Sequence, residues 1–307
     1  MTDILRAQVP DSDAEAATER EFTVAARSRR QVVARRFVRH KTALIGSIIM
    51  IALILFATVG KLLWSAGINP DYGSFLPPSA THPFGTDQLG RDMLALIIRG
   101  IQFSLLIAIV VAILVVVIGV TLGAVAGYLG GWQDSLVNRL VDLMLILPAI
   151  VVVGVMAVRF QGSWVMVAVF LGLTTWMTLT RIIRGMVLSL REKEFVEAAK
   201  ALGASTPRII FKHIVPNCSD VIIVSATLTI AQAVLLEAAL SFIGLGVKPP
   251  DTSLGLLLNE TQNYLPTSNA WLFWVTLAFV VMVSLSVNFI GDGLRDALDP
   301  RQDKVRA

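Results

Sequence analysis

One cysteine and three histidines are all that 307 residues carry, and only 16% of the chain is charged. With Cys218 alone, an intrachain disulfide and a cysteine-cluster metal site are excluded. His40, His82 and His213 are too dispersed to build one site, so a protein-made transition-metal centre is not expected. Phosphate-cradling G-x-x-x-x-G-K-[ST] loops, H-E-x-x-H pairs and Ser or Cys nucleophiles in a recognisable setting are missing as well. No cofactor is expected on this chain, and ATP hydrolysis by the chain itself is not expected. Scarcity of charge has its own consequence. At 55% hydrophobic residues and a mean hydropathy of +0.72, a water-soluble domain would expose more apolar surface than water tolerates.

What is present is apolar length. Thr42 to Gly60, Ile101 to Gln133, Phe160 to Thr180 and Thr261 to Gly291 contain no Asp, Glu, Lys or Arg, and roughly 20 residues suffice to cross the hydrocarbon core. Val221 to Val247 is interrupted only by Glu237. A third span is expected from about Leu136 to Val158, with Arg139 and Asp142 three apart and able to pair. Six membrane helices in an all-α protein follow, with both termini on one side. The expected division is a polar arm over 1–41, a first span over 42–63, an outer loop over 64–98, a core of five spans over 99–292, and a tail over 293–307.

Charge fixes the side. Lys and Arg crowd the segment before the first span, the region from Arg181 to Lys212 and the tail, whereas only Lys61, Arg91, Arg99, Arg159 and Lys248 fall opposite. The positive-inside tendency puts both termini in the cytoplasm. Arginines beside a first span read as topology and anionic-lipid determinants, so membrane lipid is an expected partner and nucleic acid is not. A basic amphipathic helix is expected from about Ala25 to Lys41, and no cleavable leader is evident before the first apolar run. Asp292, Arg295, Asp296 and Asp299 read as an ion-pair cluster at the last helix end. Pro249, Pro250 and the stretch to Tyr264 suggest an outer loop with a short interfacial helix.

The most informative stretch is Glu194 to Pro216, a polar helical island at 193–217 between apolar segments. Phe195, Val196, Ala199 and Leu202 recur at helical spacing, and Gly203 follows where a helix end needs positive φ. Ser205 or Thr206 can cap a second helix, Pro207 suits its first turn, Ile209, Ile210 and Ile214 carry its apolar face, and Pro216 is expected to stop it. The result is a helix-turn-helix knob, read either as a docking element or as a helix pair lying on lipid.

Inside the bilayer, Gly119, Gly123 and Gly127 form a small-residue stripe that lets another helix approach closely. Ser225, Thr229 and Gln232 share one helical face, and Thr174, Thr178 and Arg181 another. These hydroxyls either line a translocation path or satisfy neighbouring backbone. Glu237, in the outer third of its span, either attracts a cationic cargo group or pairs with Arg91 or Arg99.

Glu197, Ala198, Ala199, Gly203 and Pro216 resemble the EAA signature of membrane-spanning subunits of bacterial ABC importers. His82 to Asp92, Gly130-Gly131-Trp132, Leu240 to Gly246 with Pro249-Pro250, and Gly291 to Pro300 resemble segments of the C-type permease subunit of dipeptide, oligopeptide and nickel importers. The resemblance runs from about residue 40 onward. It implies a type I ABC importer permease core, a second homologous permease subunit, two ATPase subunits or domains that hold ATP and Mg, and an extracytoplasmic substrate-binding protein. Glu197 would then contribute a salt bridge or cap in an ATPase groove, Ala198 and Ala199 would allow close approach, and Gly203 would set the angle between the knob helices. Di- or oligopeptides are the implied cargo, with nickel, glutathione or another small solute as alternatives. An ion-gradient transporter and a non-transporting scaffold are the other classes weighed.

Overall fold

The computed structural model describes residues 29–64 and 71–298. The expected arm before residue 29, Pro70 of the outer loop, and the Asp299 end of the tail lie outside the described residues. Apart from one isolated bridge between Thr86 and Asp92, the described residues are helices and connections.

A short helix α1 (Arg29–Arg39) leads into α2 (Lys41–Leu63), the first span. His40 separates them: its Nδ1 accepts the Ala43 N–H at 3.3 Å, and its Nε2 meets Asp296 near the end of the last helix at 3.0 Å. Asp296 thus reaches across to another helix, where sequence suggested a cluster confined to its own. Helix α3 (Met93–Leu129) starts six residues earlier than expected. Asp92 accounts for this, because its carboxylate accepts the Ala95 N–H at 2.8 Å and supplies the N-cap.

The third and fourth spans are broken. Helices α4 (Gly131–Ile146) and α5 (Ala149–Arg159) meet at 79°, and α6 (Trp164–Leu173) and α7 (Met177–Leu190) at 41°. The single third helix read from sequence is therefore corrected. Pro148 lacks an N–H and forces Leu147 into extended backbone, φ −80 and ψ 122, so the helix cannot continue through it. In the other pair, Thr174 and Thr175 turn their hydroxyls onto the Phe170 and Leu171 carbonyls at 2.8 and 2.7 Å, competing with the backbone ladder. Counting each bent pair as one span gives six.

After α8 (Glu194–Ala201), the chain is helical from Thr206 to Phe242, ending in α9 (Ser219–Phe242). Helix α10 (Leu254–Thr261) follows, then α11 (Trp271–Leu298). The expected interfacial helix is in fact enclosed. Leu254, Leu256, Leu257 and Leu258 of α10 are all buried, because Gly255 lies against Ala238 and Ser241 of α9, and Gly100 of α3 against Leu254 and Leu257.

Helix α3 is the axis of the bundle, with Ile97, Ile101, Ile107, Ala108 and Val111 almost wholly buried. At ~1.5 Å per residue its 37 residues span about 55 Å, which sets the 71–92 loop and α10 at one end and the α8 knob at the other. Helix α2 packs on α11: Gly46 sits against Phe289 and the Ser286 carbonyl, and Gly293 against Ala43. Its opposite face leaves Ile48, Ile51 and Leu55 exposed, as a lipid-facing helix does.

Candidate functional site

The knob forms from a helix that ends sharply. In α8, Val196 and Ala199 are buried, while Phe195, Glu197 and Ala198 are exposed and Leu202, just beyond, is 88% exposed. Gly203 then adopts φ +76 and donates its N–H to the Lys200 carbonyl at 2.9 Å. A Cβ there would meet nothing within 4 Å, so backbone conformation rather than crowding calls for glycine. Of the two signature alanines, Ala198 is on the surface and Ala199 is turned into the protein.

The second leg departs from the sequence reading twice. Ser205 occupies the N-cap position without a side-chain cap bond, and Pro216 does not end the helix. A π-helical stretch, Ile209–Ile214, precedes a 3-10 turn, Val215–Cys218, and α9 continues from it. Val215 donates to the Ile210 carbonyl, five residues back. Widening the turn and then tightening it carries the chain past a proline that could not donate in a regular ladder.

Four path candidates come together. Thr178 of α7 with Ser225, Thr229 and Gln232 of α9 line one cleft of about 180 Å³, closed by Val115, Leu179, Ile182 and Leu228. Thr175 joins them, whereas Thr174 does not. The bend at 174–176 rotates the face that periodicity alone assigned to Thr174. Thr229 donates to the Ser225 carbonyl at 2.8 Å, which leaves its oxygen able to accept. The cleft wall is uncharged and rich in hydroxyl and amide groups.

The helices lining this cleft also carry the knob. Helix α7 passes Thr178 and ends four residues before Glu194, and the helical stretch from Thr206 passes Ser225, Thr229 and Gln232. Gly119, Gly123 and Gly127 of α3 brace α7: Gly119 faces Leu179, Gly123 the Thr180 carbonyl and Ile183, and Gly127 the Arg184 carbonyl and Val187. Two ion pairs missed by sequence reasoning hold α7 to α4. Arg184 makes a two-pronged contact with Asp134, and Arg181 pairs with Asp142. The expected partner of Asp142 was Arg139, which is exposed; Asp142 pairs with Arg181 of α7 instead.

Glu237 is apart from the cleft. Fully buried, it accepts from Ser104 at 3.0 Å and Ser241 at 2.8 Å, so hydroxyls take the place expected for Arg91 or Arg99. Arg91 bridges Asp87 at 2.6 Å and Glu260 at 2.8 Å. Burial works against its charge, but the two carboxylates and their hydrogen bonds more than offset this and hold the guanidinium above its ordinary range. Tyr264 is pushed upward by burial and by the charges of Asp87 and Glu260. Arg99 lies over the Phe103 ring at 5.3 Å. No group of three or more His, Cys, Asp or Glu able to hold a metal forms among the described residues.

Comparison with known proteins places this arrangement. Residues 119–304 match the family described as binding-protein-dependent transport system inner membrane component. The chain belongs to that family. It is accordingly a multi-pass inner-membrane permease and not an enzyme. Residues 28–78 also match the N-terminal TM domain of oligopeptide transport permease C. The oligopeptide transport system permease protein OppC of Salmonella typhimurium is 41% identical, covering 92% of this chain and 94% of its own. OppC of Mycobacterium tuberculosis is 39% identical, over 91% and 97% respectively. Among solved structures, an inward-facing conformation of the MetNI methionine ABC transporter is similar over 67% of this chain and 98% of that one, at 20% identity and a TM-score of 0.49.

Within this permease family the knob is the part whose location sequence reading caught best. The cleft was caught only in part: Thr175, Leu179, Ile182 and Leu228 were missed, although 175, 178, 179 and 182, and 225, 228, 229 and 232, are regular helical faces, because only polar residues were weighed and the face was drawn through Thr174.

Proposed function

We propose that this chain forms half of the translocation pathway of an ATP-driven importer for di- or oligopeptides. The observation that carries this reading is shared construction: the helices that enter and leave the knob are those that wall the polar cleft. A push or pull on the knob is transmitted along rigid helices to the cleft. Glu197 and Ala198 on the knob surface, and the angle set by Gly203, form the face that an ATPase subunit grips; Ala199 and Pro216 shape the two legs from within. ATP and Mg belong to two such ATPase subunits or domains. A second, homologous permease supplies the other half of the path, and an extracytoplasmic binding protein delivers cargo to the α10 end. Both termini and the knob are cytoplasmic, as the Lys and Arg distribution favours.

The uncharged cleft suits peptide main chain, whose amides match hydroxyl and carboxamide partners whatever the side-chain charge. ATP-dependent uptake of a labelled tetra-alanine peptide into vesicles carrying the full assembly tests the reading. Uptake that needs ATP and the binding protein supports it. Uptake driven by an ion gradient without any ATPase would overturn it in favour of secondary transport.

A further inference from the structure

Two serine hydroxyls donate to the Glu237 carboxylate: Ser104 of α3 at 3.0 Å, and Ser241, one turn further along α9, at 2.8 Å. Each hydroxyl has a second commitment, to a backbone N–H. Ser104 accepts from Leu254 at 3.2 Å and Ser241 from Val247 at 3.0 Å. A hydroxyl owns one proton, so an oxygen already accepting from an amide aims that proton at the carboxylate. Glu237 therefore orders two amides it does not touch, one of them, Leu254, in the first turn of α10, where N–H groups otherwise lack helical partners.

The far end of α10 is tied by a second carboxylate. Glu260 meets Arg91, which also holds Asp87 in the loop before α3. Between the two ties, Gly100 of α3 packs against Leu254 and Leu257. Contacts pair residues 91, 100 and 104 with 260, 257 and 254 in turn, so α10 lies antiparallel along the start of α3 and is fastened at both ends.

We infer that Glu237 is a positioning residue, a latch that holds α10 and the 243–253 connection to α3 and α9 so that this end of the bundle moves as one body. The transport half of the inference rests on the importer reading above: this body closes the outer mouth of the path, and Glu237 sets how firmly it stays shut. Acceptance of a hydroxyl by each carboxyl oxygen is the working property. In Glu237→Gln the carboxamide nitrogen donates where a carboxyl oxygen accepted, so one serine hydroxyl loses its acceptor and must re-aim its proton, which loosens its hold on its backbone amide.

The test is hydrogen exchange measured on the complete purified assembly in lipid nanodiscs, together with ATP hydrolysis in the absence of binding protein. In Glu237→Gln, exchange at Val247 and Leu254 is expected to quicken by about tenfold or more. Protection of α2 and α11 should be unchanged, and unstimulated hydrolysis should rise severalfold. Glu237→Asp is expected to fall between the two, and Ser241→Ala to release Val247 selectively; these variants carry the test where the glutamine variant fails to assemble. Unchanged exchange at the two amides overturns the latch. Faster exchange with unchanged hydrolysis overturns its place in the transport cycle. If no ATPase is recovered with the assembly, the importer reading fails, while the exchange rates still decide the latch.

Discussion

Gly123 of α3 faces the Thr180 carbonyl of α7 so closely that a Cβ on it would stand 2.6 Å from that oxygen. Neither side can yield by a rotamer change, because the obstacle is backbone. Gly123→Ala is expected to force α3 and α7 apart and lower stability by about 1–3 kcal/mol, the usual cost of overpacking. Gly127→Ala meets the Arg184 carbonyl at 2.8 Å and should behave alike. Gly119→Ala meets only the Leu179 side chain at 3.1 Å and should be milder. Thermal unfolding of the three variants in detergent checks the order, and a Gly119 variant more damaging than Gly123 would contradict it.

Arg184 and Asp134 tie α7 to α4 through two nitrogens and two oxygens. Arg184→Ala is expected to cost about 1–3 kcal/mol, as hydrogen bonds to partly buried charged groups do. Arg184→Lys should recover little, since an ammonium cannot reproduce the fork. A double-mutant cycle with Asp134→Ala measures the coupling; additive effects would mean that the pair contributes nothing of its own.

At the knob, Gly203→Pro removes the N–H that meets the Lys200 carbonyl and cannot reach φ +76. Glu197→Lys reverses an exposed charge in the first turn of α8. Both are expected to leave membrane insertion intact while lowering ATP-dependent uptake at least about tenfold, an effect of ~1.4 kcal/mol on coupling. Gly203→Asn, which tolerates left-handed backbone, should keep most activity. Normal uptake in the proline and lysine variants would remove the docking role of the knob.

The cleft is about 180 Å³, a volume that one large aromatic side chain consumes. Thr178→Trp is expected to reduce uptake more than about tenfold without changing cargo affinity of the binding protein, and Gln232→Ala to have a smaller effect because it removes one partner and blocks nothing. Initial uptake rates set beside binding-protein titrations separate the two effects.

The knob was legible because its signals are local: Gly203 just past an amphipathic run, Pro207 in the first turn of the next. Six-fold crossing was legible for a similar reason, as apolar length is a property of contiguous residues. What sequence did not disclose depends on partners far along the chain. Ser104 lies 133 residues from Glu237 and Asp134 lies 50 from Arg184, and no periodicity within one helix selects such pairs. Pro148 was a local signal passed over in favour of span length. Pro216 was read by its usual effect on a regular helix, yet wider and tighter turns on either side absorb it. Apolar content alone did not separate an enclosed helix at 254–261 from one lying in the interface; the glycines that let it approach, Gly100 and Gly255, became meaningful only once their facing elements were known.

The seam between α2 and α11, with Gly46 against Phe289 and Ala43 against Gly293, joins segments separated by nearly the whole described chain. At a synthesis rate of ~5–20 residues per second, the first membrane helix waits roughly 10–50 s before its partner exists. During that interval its lipid-facing side is already at home, but the face of Ala43 and Gly46 must also be covered by lipid. Completion of the last helix is therefore the event that releases the first from temporary company.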